Sequence, residues 1–190
     1  LWLECENDYL FDNFAECVIP QVGHDPFWVT AARTVLTTAA QVCKRQKNYD
    51  IQELLRLTIH GSLKEVFPHF KNTAAASMMD PEAEKTALSI RATLSSSIKS
   101  FAYLITQTKT NSKDKIDVNN ADTDSCTDPL AFFSIRDWVQ SPNQRGFLFL
   151  NATPEQRSTL IPLITAWLSL ATKALMGKRD YEKLWFFVDE

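Results

Sequence analysis

The stretch DPFWVTAARTVLTTAAQVCKRQ, residues 25–46, decides the fold class of this 190-residue chain. Asp25 suits the N-cap position and Pro26 suits the first helical position, so together they predict the start of a helix. Apolar side chains then recur every three or four residues, as on the buried face of a helix. They are Val29, Ala32, Val35 or Leu36, Ala39 and Val42 or Cys43. The pattern predicts one long amphipathic helix.

Three further helices are predicted after this one, at about 51–59, 63–70 and 81–106. Asp50 and Ser62 are each followed three residues later by Glu, which is the capping-box pattern, and Asp80-Pro81 repeats the Asp-Pro start. The last helix carries a stripe that is typical of packing in a helical bundle. Its members are Ala83, Ala87, Ile90, Leu94, Ile98, Phe101 and Ile105.

The pattern changes after this helical block. Residues 109–128 are polar and rich in Asp, which predicts a mobile loop. Ser134 is expected to cap a short helix. GFLFLNA (146–152) is a continuous apolar run that suits a buried strand. Thr153-Pro154-Glu155-Gln156 predicts a helix to about residue 176, and LWFFVD (184–189) predicts a second strand. Strand, helix and strand indicate a parallel βαβ unit, which with two strands is not a complete sheet domain.

Composition excludes several classes of protein. The net charge is −3 and the pI about 5.7, and residues 14–107 carry ten Lys/Arg against eight Asp/Glu, a sum of only +2. Bulk charge therefore does not indicate strong nucleic-acid binding. Four Cys (5, 17, 43 and 126) and three His (24, 60 and 69) form no metal-ligand spacing, so buried reduced thiols are expected. The apolar run 160–176 contains Pro, Ser, Thr and Lys and is predicted to be a core helix, so no membrane span is expected.

The stretch LWFFVDE, residues 184–190, places two acids directly after an apolar strand. This is the pattern of a Walker B strand in ATP-driven enzymes, although an ordinary strand end with exposed acids has the same pattern. A Walker B strand works with a phosphate loop, G-x-x-x-x-G-K-[ST]. The chain has four Gly and no such loop. Because it also begins at Leu1 without Met, we expect it to be a segment of a longer protein.

A basic cluster, Lys44, Arg45 and Lys47, follows the first long helix. These side chains are candidates for contacts with nucleic-acid phosphates. The competing interpretation is that they stabilise the helix C-terminus, where positive charge is favourable.

Five blocks resemble, in order, the TraD-type coupling proteins of bacterial type IV secretion and conjugation. They are DPFWVTAARTVLTTAA, EKTALSIRATLSSSIKSFAYL, FFSIRDWVQ, GFLFLNATPEQRSTLIPLITAWLSLATKAL and LWFFVDE. These proteins resemble FtsK-like hexameric ATPases at the cytoplasmic face of the inner membrane. The resemblance implies a mainly α chain, in which an all-alpha domain is inserted in an incomplete RecA-like α/β nucleotide-binding domain. The implied boundaries are 1–18 and 131–190 for the nucleotide-binding domain and 19–130 for the all-alpha domain.

The resemblance also implies roles for the acids and partners for the helices. Asp189 would hold Mg²⁺ through water and Glu190 would act on the attacking water, in a longer protein that binds ATP. The all-alpha domain would recognise relaxosome components or secreted proteins, and DNA weakly and without sequence preference. The longer protein would form a homo-hexamer with other secretion-system components. Alone, the chain is expected to be inactive, and a helical interaction module unrelated to secretion remains the alternative.

Overall fold

A computed structural model of the chain describes residues 1–2, 4–5, 7–21, 26–103, 133–141, 146–177 and 184–187. Within these residues the chain forms seven α-helices: α1 Asp8–Val18, α2 Pro26–Arg45, α3 Ile51–Leu55, α4 Leu63–Phe70, α5 Glu84–Ile98, α6 Ile135–Gln140 and α7 Pro154–Met176. A π-helical turn, Arg56–His60, continues α3, and 3-10 turns cover Ala76–Met78, Pro81–Ala83 and Lys99–Tyr103. The predicted mainly α fold class is confirmed.

Side-chain caps begin several helices where the sequence predicted them. Asp50 Oδ1 accepts a hydrogen bond from the N–H two residues on at 2.9 Å. Ser62 Oγ and Ser134 Oγ each accept from the N–H three residues on, at 3.3 and 3.1 Å. These N–H groups belong to the first helical turn and have no partner within the helix, so the caps fix where the helices begin. The predicted starts of α2, α3, α4, α6 and α7 are confirmed.

The helix predicted over 81–106 is not one continuous α-helix. A 3-10 turn precedes α5, and after Ile98 the chain tightens again into a 3-10 turn through Tyr103. Three serines, 95–97, stand just before this change, and Ser96 Oγ donates to the carbonyl of Thr93 at 2.7 Å. Serine hydroxyls compete for backbone groups and weaken regular helix, which accounts for the early end of α5. The last predicted residues, 104–106, lie outside the described residues.

Helix α2 lies at the centre of the core, between α5 and α1. Eleven of its twenty residues are buried, including every apolar position that the sequence predicted for its inner face. Many of them are Ala or Thr, and these small side chains allow the neighbouring helices to pack closely. The buried stripe of α5 continues into Phe101, which packs against Phe14 of α1 with ring centroids 5.8 Å apart.

The predicted edge segment 1–18 is part of this same core. Phe11, Phe14 and Val18 of α1 are buried in it together with Leu163 and Leu170 of α7. At the start of the chain, the buried carboxylate of Glu4 accepts hydrogen bonds from the N–H groups of the first two α6 residues, at 2.7 and 3.1 Å. The N-terminal segment therefore joins sequence regions that are more than 130 residues apart. The domain boundaries at 18 and 130 stay predictions.

Neither predicted strand is formed in the described residues. Residues 147–150 and 184–187 form no regular secondary structure and pair with no neighbouring strand in the described residues, and residues 188–189 lie outside the described residues. Their aromatic side chains are exposed: Phe147 by 84%, Phe149 by 75%, Trp185 by 73% and Phe187 by 85%. Two strands are too few for a stable sheet, because each needs partners along its edges and cover on its faces. The apolar pattern of these segments therefore has no sheet to enter among the described residues.

Helix α7 packs against α1 and α6 through one face, where Leu163, Ala166 and Leu170 are buried. Among the described helices it is also the one that is long and apolar enough to cross a membrane by length and composition. Trp167 on this helix is half-buried and contacts both the main core and the smaller cluster of α6 and α7. In the predicted βαβ unit this helix would pack against two strands, whereas Leu163 and Trp167 pack against helices.

Candidate nucleic-acid interface

The chain turns sharply at the end of α2, within the predicted basic cluster. The N–H of Asn48 donates to the carbonyl of Cys43 at 2.9 Å, and the N–H of Lys47 donates to that of Lys44 at 3.0 Å. Lys47 has a left-handed backbone with φ of 54°. This pair of bonds around a left-handed residue is the Schellman motif, in which that position is usually Gly. The turn separates the three basic residues rather than leaving them on one face.

Lys44 faces the core side of the turn. Its Nζ lies 3.2 Å from Asp8 Oδ1 and 3.4 Å from the carbonyl oxygen of Cys5. It also lies 5.4 Å from the centre of the Phe11 ring. These contacts tie the end of α2 to α1, so Lys44 has a clear structural role.

Arg45 points to the opposite side, toward the end of α4. Between the two helix ends lies a cleft of about 430 Å³, which we call the α2–α4 cleft. It is lined by Val42, Arg45, Gln46, Pro68, His69, Lys71, Asn72 and Thr73. Gln46 Nε2 and His69 Nδ1 lie 3.3 Å apart across it. The structure therefore adds His69 and Lys71 to Arg45, and sequence reasoning missed both.

Lys71 could have been recognised from its position in the sequence. This residue directly follows the predicted helix 63–70, just as Lys47 follows the first long predicted helix. Asn72, next to it, is the other described non-glycine residue with a left-handed backbone, at φ 64°. What the sequence does not contain is the packing of α4 against α2, which brings the two helix ends together.

Two acids of the neighbouring helices α3 and α4, Glu53 and Glu65, are paired with Arg56. Arg56 forms two 2.7 Å hydrogen bonds to Glu53 and one of 2.7 Å to Glu65. The hydrogen bonds from Arg56 lower the pKa of Glu53. No carboxylate is among the residues that line the α2–α4 cleft. The cleft therefore presents positive and neutral polar groups.

The other candidates for chemistry are the thiols, a metal site and the predicted Walker B acids. Burial raises the pKa of the Cys5 and Cys43 thiols to about 12, so both are inert at neutral pH. In the part of the chain that the structure describes, no three His, Cys, Asp or Glu side chains are grouped to hold a metal ion. Asp189 and Glu190 lie outside the described residues, and their Walker B roles stay predictions.

Comparison with known proteins identifies the family. A family model described as the type IV secretion-system coupling protein DNA-binding domain matches residues 1–190. The chain belongs to this family. It is 32% identical over 196 residues to the coupling protein TraD of Escherichia coli strain K12, an alignment that covers all of this chain and 25% of TraD.

Solved structures of the conjugative coupling protein TrwB share the fold. The unbound monoclinic form matches with a TM-score of 0.71 at 22% identity, over 95% of this chain and 38% of TrwB. A complex of TrwB with the GTP analogue GDPNP matches with a TM-score of 0.71 at 23% identity, over 96% of this chain and 39% of TrwB. The chain thus spans about a quarter of TraD and less than two-fifths of the TrwB structures.

Proposed function

We propose that this chain is the substrate-recognition segment of a type IV secretion coupling protein that serves conjugative DNA transfer. The observation that carries the proposal is the family match across all 190 residues. The names of the relatives agree with it: TraD is a coupling protein, and TrwB is a bacterial conjugative coupling protein. The family match speaks against the alternative of a helical module unrelated to secretion.

The longer protein is proposed to be an ATPase. TrwB has been solved with a non-hydrolysable ATP analogue and with ADP and Mg²⁺. In this chain the fit to a nucleotide is incomplete, because the sequence has no phosphate-binding loop. This chain is proposed to contribute two acids to the nucleotide site. Asp189 would hold Mg²⁺ through water, and Glu190 would act on the attacking water.

The proposed place of the longer protein is the cytoplasmic side of the bacterial inner membrane, as a homo-hexamer. Its proposed partners are relaxosome components or secreted proteins, which the helices of the all-alpha domain would contact. DNA contact is proposed to be weak and independent of sequence, because the sum of charges over residues 14–107 is only +2. The exposed side of the α2–α4 cleft is the part of the described surface that best suits such a contact.

A mating assay tests this function. The longer protein is expected to restore plasmid transfer to a donor strain whose own coupling-protein gene is deleted. Excess 190-residue chain, expressed in a wild-type donor, is expected to lower the transfer frequency because it titrates the transferred substrates. Transfer that is neither restored by the longer protein nor lowered by the excess chain would contradict the proposal.

A further inference from the structure

The α2–α4 cleft brings together cations from two separate helices. Arg45 is the last residue of α2, and Lys71 is the first residue after α4. Both are exposed, and neither forms an ion pair with another described residue. Three other cations of the helical block are engaged: Lys44 with Asp8, Arg56 with Glu53 and Glu65, and Arg33 with the carbonyl of Ile19 at 2.8 Å. Lys64, Lys85 and Lys99 are exposed as well, so the cleft is distinguished by geometry: two cations from separate elements line one opening, and no carboxylate lines it.

The backbone at the rim holds the two cations in place. Lys47 and Asn72, which lie close in sequence to the two cations, both have left-handed backbones, with φ of 54° and 64°. The contact between Gln46 and His69 links the two helix ends. The two left-handed turns and the polar contact between the helix ends fix the backbone from which the Arg45 and Lys71 side chains extend.

The electrostatic balance favours an anion even though both helices end here. Each helix C-terminus carries about half a negative charge, so the two together oppose an anion with about one unit. Arg45 and Lys71, which both line the cleft, contribute two full positive charges. The net charge at the cleft is therefore positive, and the lining contains no carboxylate to reverse it.

We propose that the α2–α4 cleft is a phosphate-binding site that holds one stretch of nucleic-acid backbone, with Arg45 and Lys71 as its charged ligands. The inference rests on the proposed function, and it assigns the DNA contact to these residues rather than to Lys44. The volume of about 430 Å³ accommodates a phosphodiester with an adjoining sugar. Polar neighbours such as Asn72 supply further hydrogen-bonding groups. Two cations contact the backbone only, so the site does not distinguish base sequences.

The test measures how DNA affinity depends on salt. Each phosphate contact to single-stranded DNA contributes about 0.7 to the slope of log Kobs against log salt. The double variant Arg45→Ala/Lys71→Ala is therefore expected to lower the slope by about 1.4, as measured by fluorescence anisotropy with a labelled oligonucleotide. The matched control is Lys85→Ala/Lys99→Ala, which removes the same charge from exposed positions on and just after α5. The control is expected to keep the wild-type slope.

Further arms separate the alternatives. A thermal melt confirms that each variant folds, and Arg45→Lys/Lys71→Arg is expected to restore the slope. An oligonucleotide with uncharged methylphosphonate linkages is expected to show the same low slope with wild type and variant. Equal losses in both double variants would overturn the cleft as a site. Full competition by inorganic phosphate or ATP at the concentration of DNA phosphate would overturn nucleic-acid backbone as the occupant of the cleft. Wild-type DNA binding that the Arg45/Lys71 variant leaves unchanged would overturn the inference alone, while the mating assay tests the proposed function separately.

Discussion

At the scale of single residues, Lys47 places a basic side chain at a backbone position that suits Gly. Its left-handed backbone is a position where Gly has no steric cost. We expect Lys47→Gly to raise the free energy of unfolding by about 1 kcal/mol, as measured by urea denaturation. Lys64→Gly, at an exposed position inside α4, is the control and is expected to lower it by about 1 kcal/mol. A Lys47→Gly variant no more stable than wild type would show that the side chain makes up for the strain.

The buried thiols predict a dependence of stability on alkaline pH. Burial raises the pKa of Cys5 and Cys43 from 9.0 to about 12, so the unfolded chain releases these protons first. Their contribution to stability is complete below pH 9 and is lost as the pH rises from 9 toward 12, by at most about 1.4 kcal/mol per pH unit for each thiol. We expect Cys5→Ala/Cys43→Ala to lose less stability than wild type between pH 8 and 10.5 in urea titrations. Equal losses would mean that the thiols do not ionise differently on unfolding.

At the scale of elements, the turn between α3 and α4 depends on a glycine. A Cβ atom at Gly61 would lie 2.5 Å from Val66 Cγ1 and 2.9 Å from the carbonyl oxygen of Arg56. Gly61→Ala is therefore expected to destabilise the chain by about 1–3 kcal/mol, seen as a lower Tm. Gly177→Ala, where the added atom meets only ordinary contacts at 3.6 Å, is the control and is expected to change the Tm little. A Gly61→Ala variant with the wild-type Tm would refute the close approach.

Helices were predictable from this sequence to the extent that their signals are local. The caps at Asp50, Ser62 and Ser134 and the stripe of α2 act within one or two turns, and the structure has each of them. The strands predicted at 146–152 and 184–189 are not formed in the described residues, because a local apolar pattern does not supply the distant partners that complete a strand. One of the two cations of the cleft could be predicted from the sequence. Arg45 belongs to a basic cluster that the sequence shows, whereas Lys71 comes close to it only because α4 packs against α2.

Trp167 is half-buried rather than buried, so truncating it is expected to cost less than the 3–5 kcal/mol of a buried Trp.

At the scale of the whole molecule, the most exposed aromatic side chains of the described residues lie in two segments. Phe147, Phe149, Trp185 and Phe187 belong to the two segments that the sequence predicted as strands, and each is at least 73% exposed. Such apolar surface promotes association. We expect the chain to self-associate with rising concentration in sedimentation velocity, and Phe147→Ser/Phe149→Ser to reduce this. The control Tyr9→Ser, at an exposed aromatic on α1, is expected to leave association unchanged. A wild-type chain that stays monomeric at all concentrations would contradict the role of these side chains.

The proposed ATPase activity also belongs to the larger protein, and Glu190 gives the test. The chain alone is expected to show no ATP turnover above background, because no phosphate-binding loop is present in its sequence. In the longer protein, Glu190→Gln removes the group that acts on water while leaving the groups that hold the nucleotide. We therefore expect kcat to fall by about 10²–10⁴-fold, the usual contribution of a general base, with the Kd for ATP little changed. Glu155→Gln, at the exposed start of α7, serves as control and is expected to keep wild-type turnover. Unchanged turnover in Glu190→Gln would remove Glu190 from the site, and turnover by the chain alone would show that the phosphates are held without the loop.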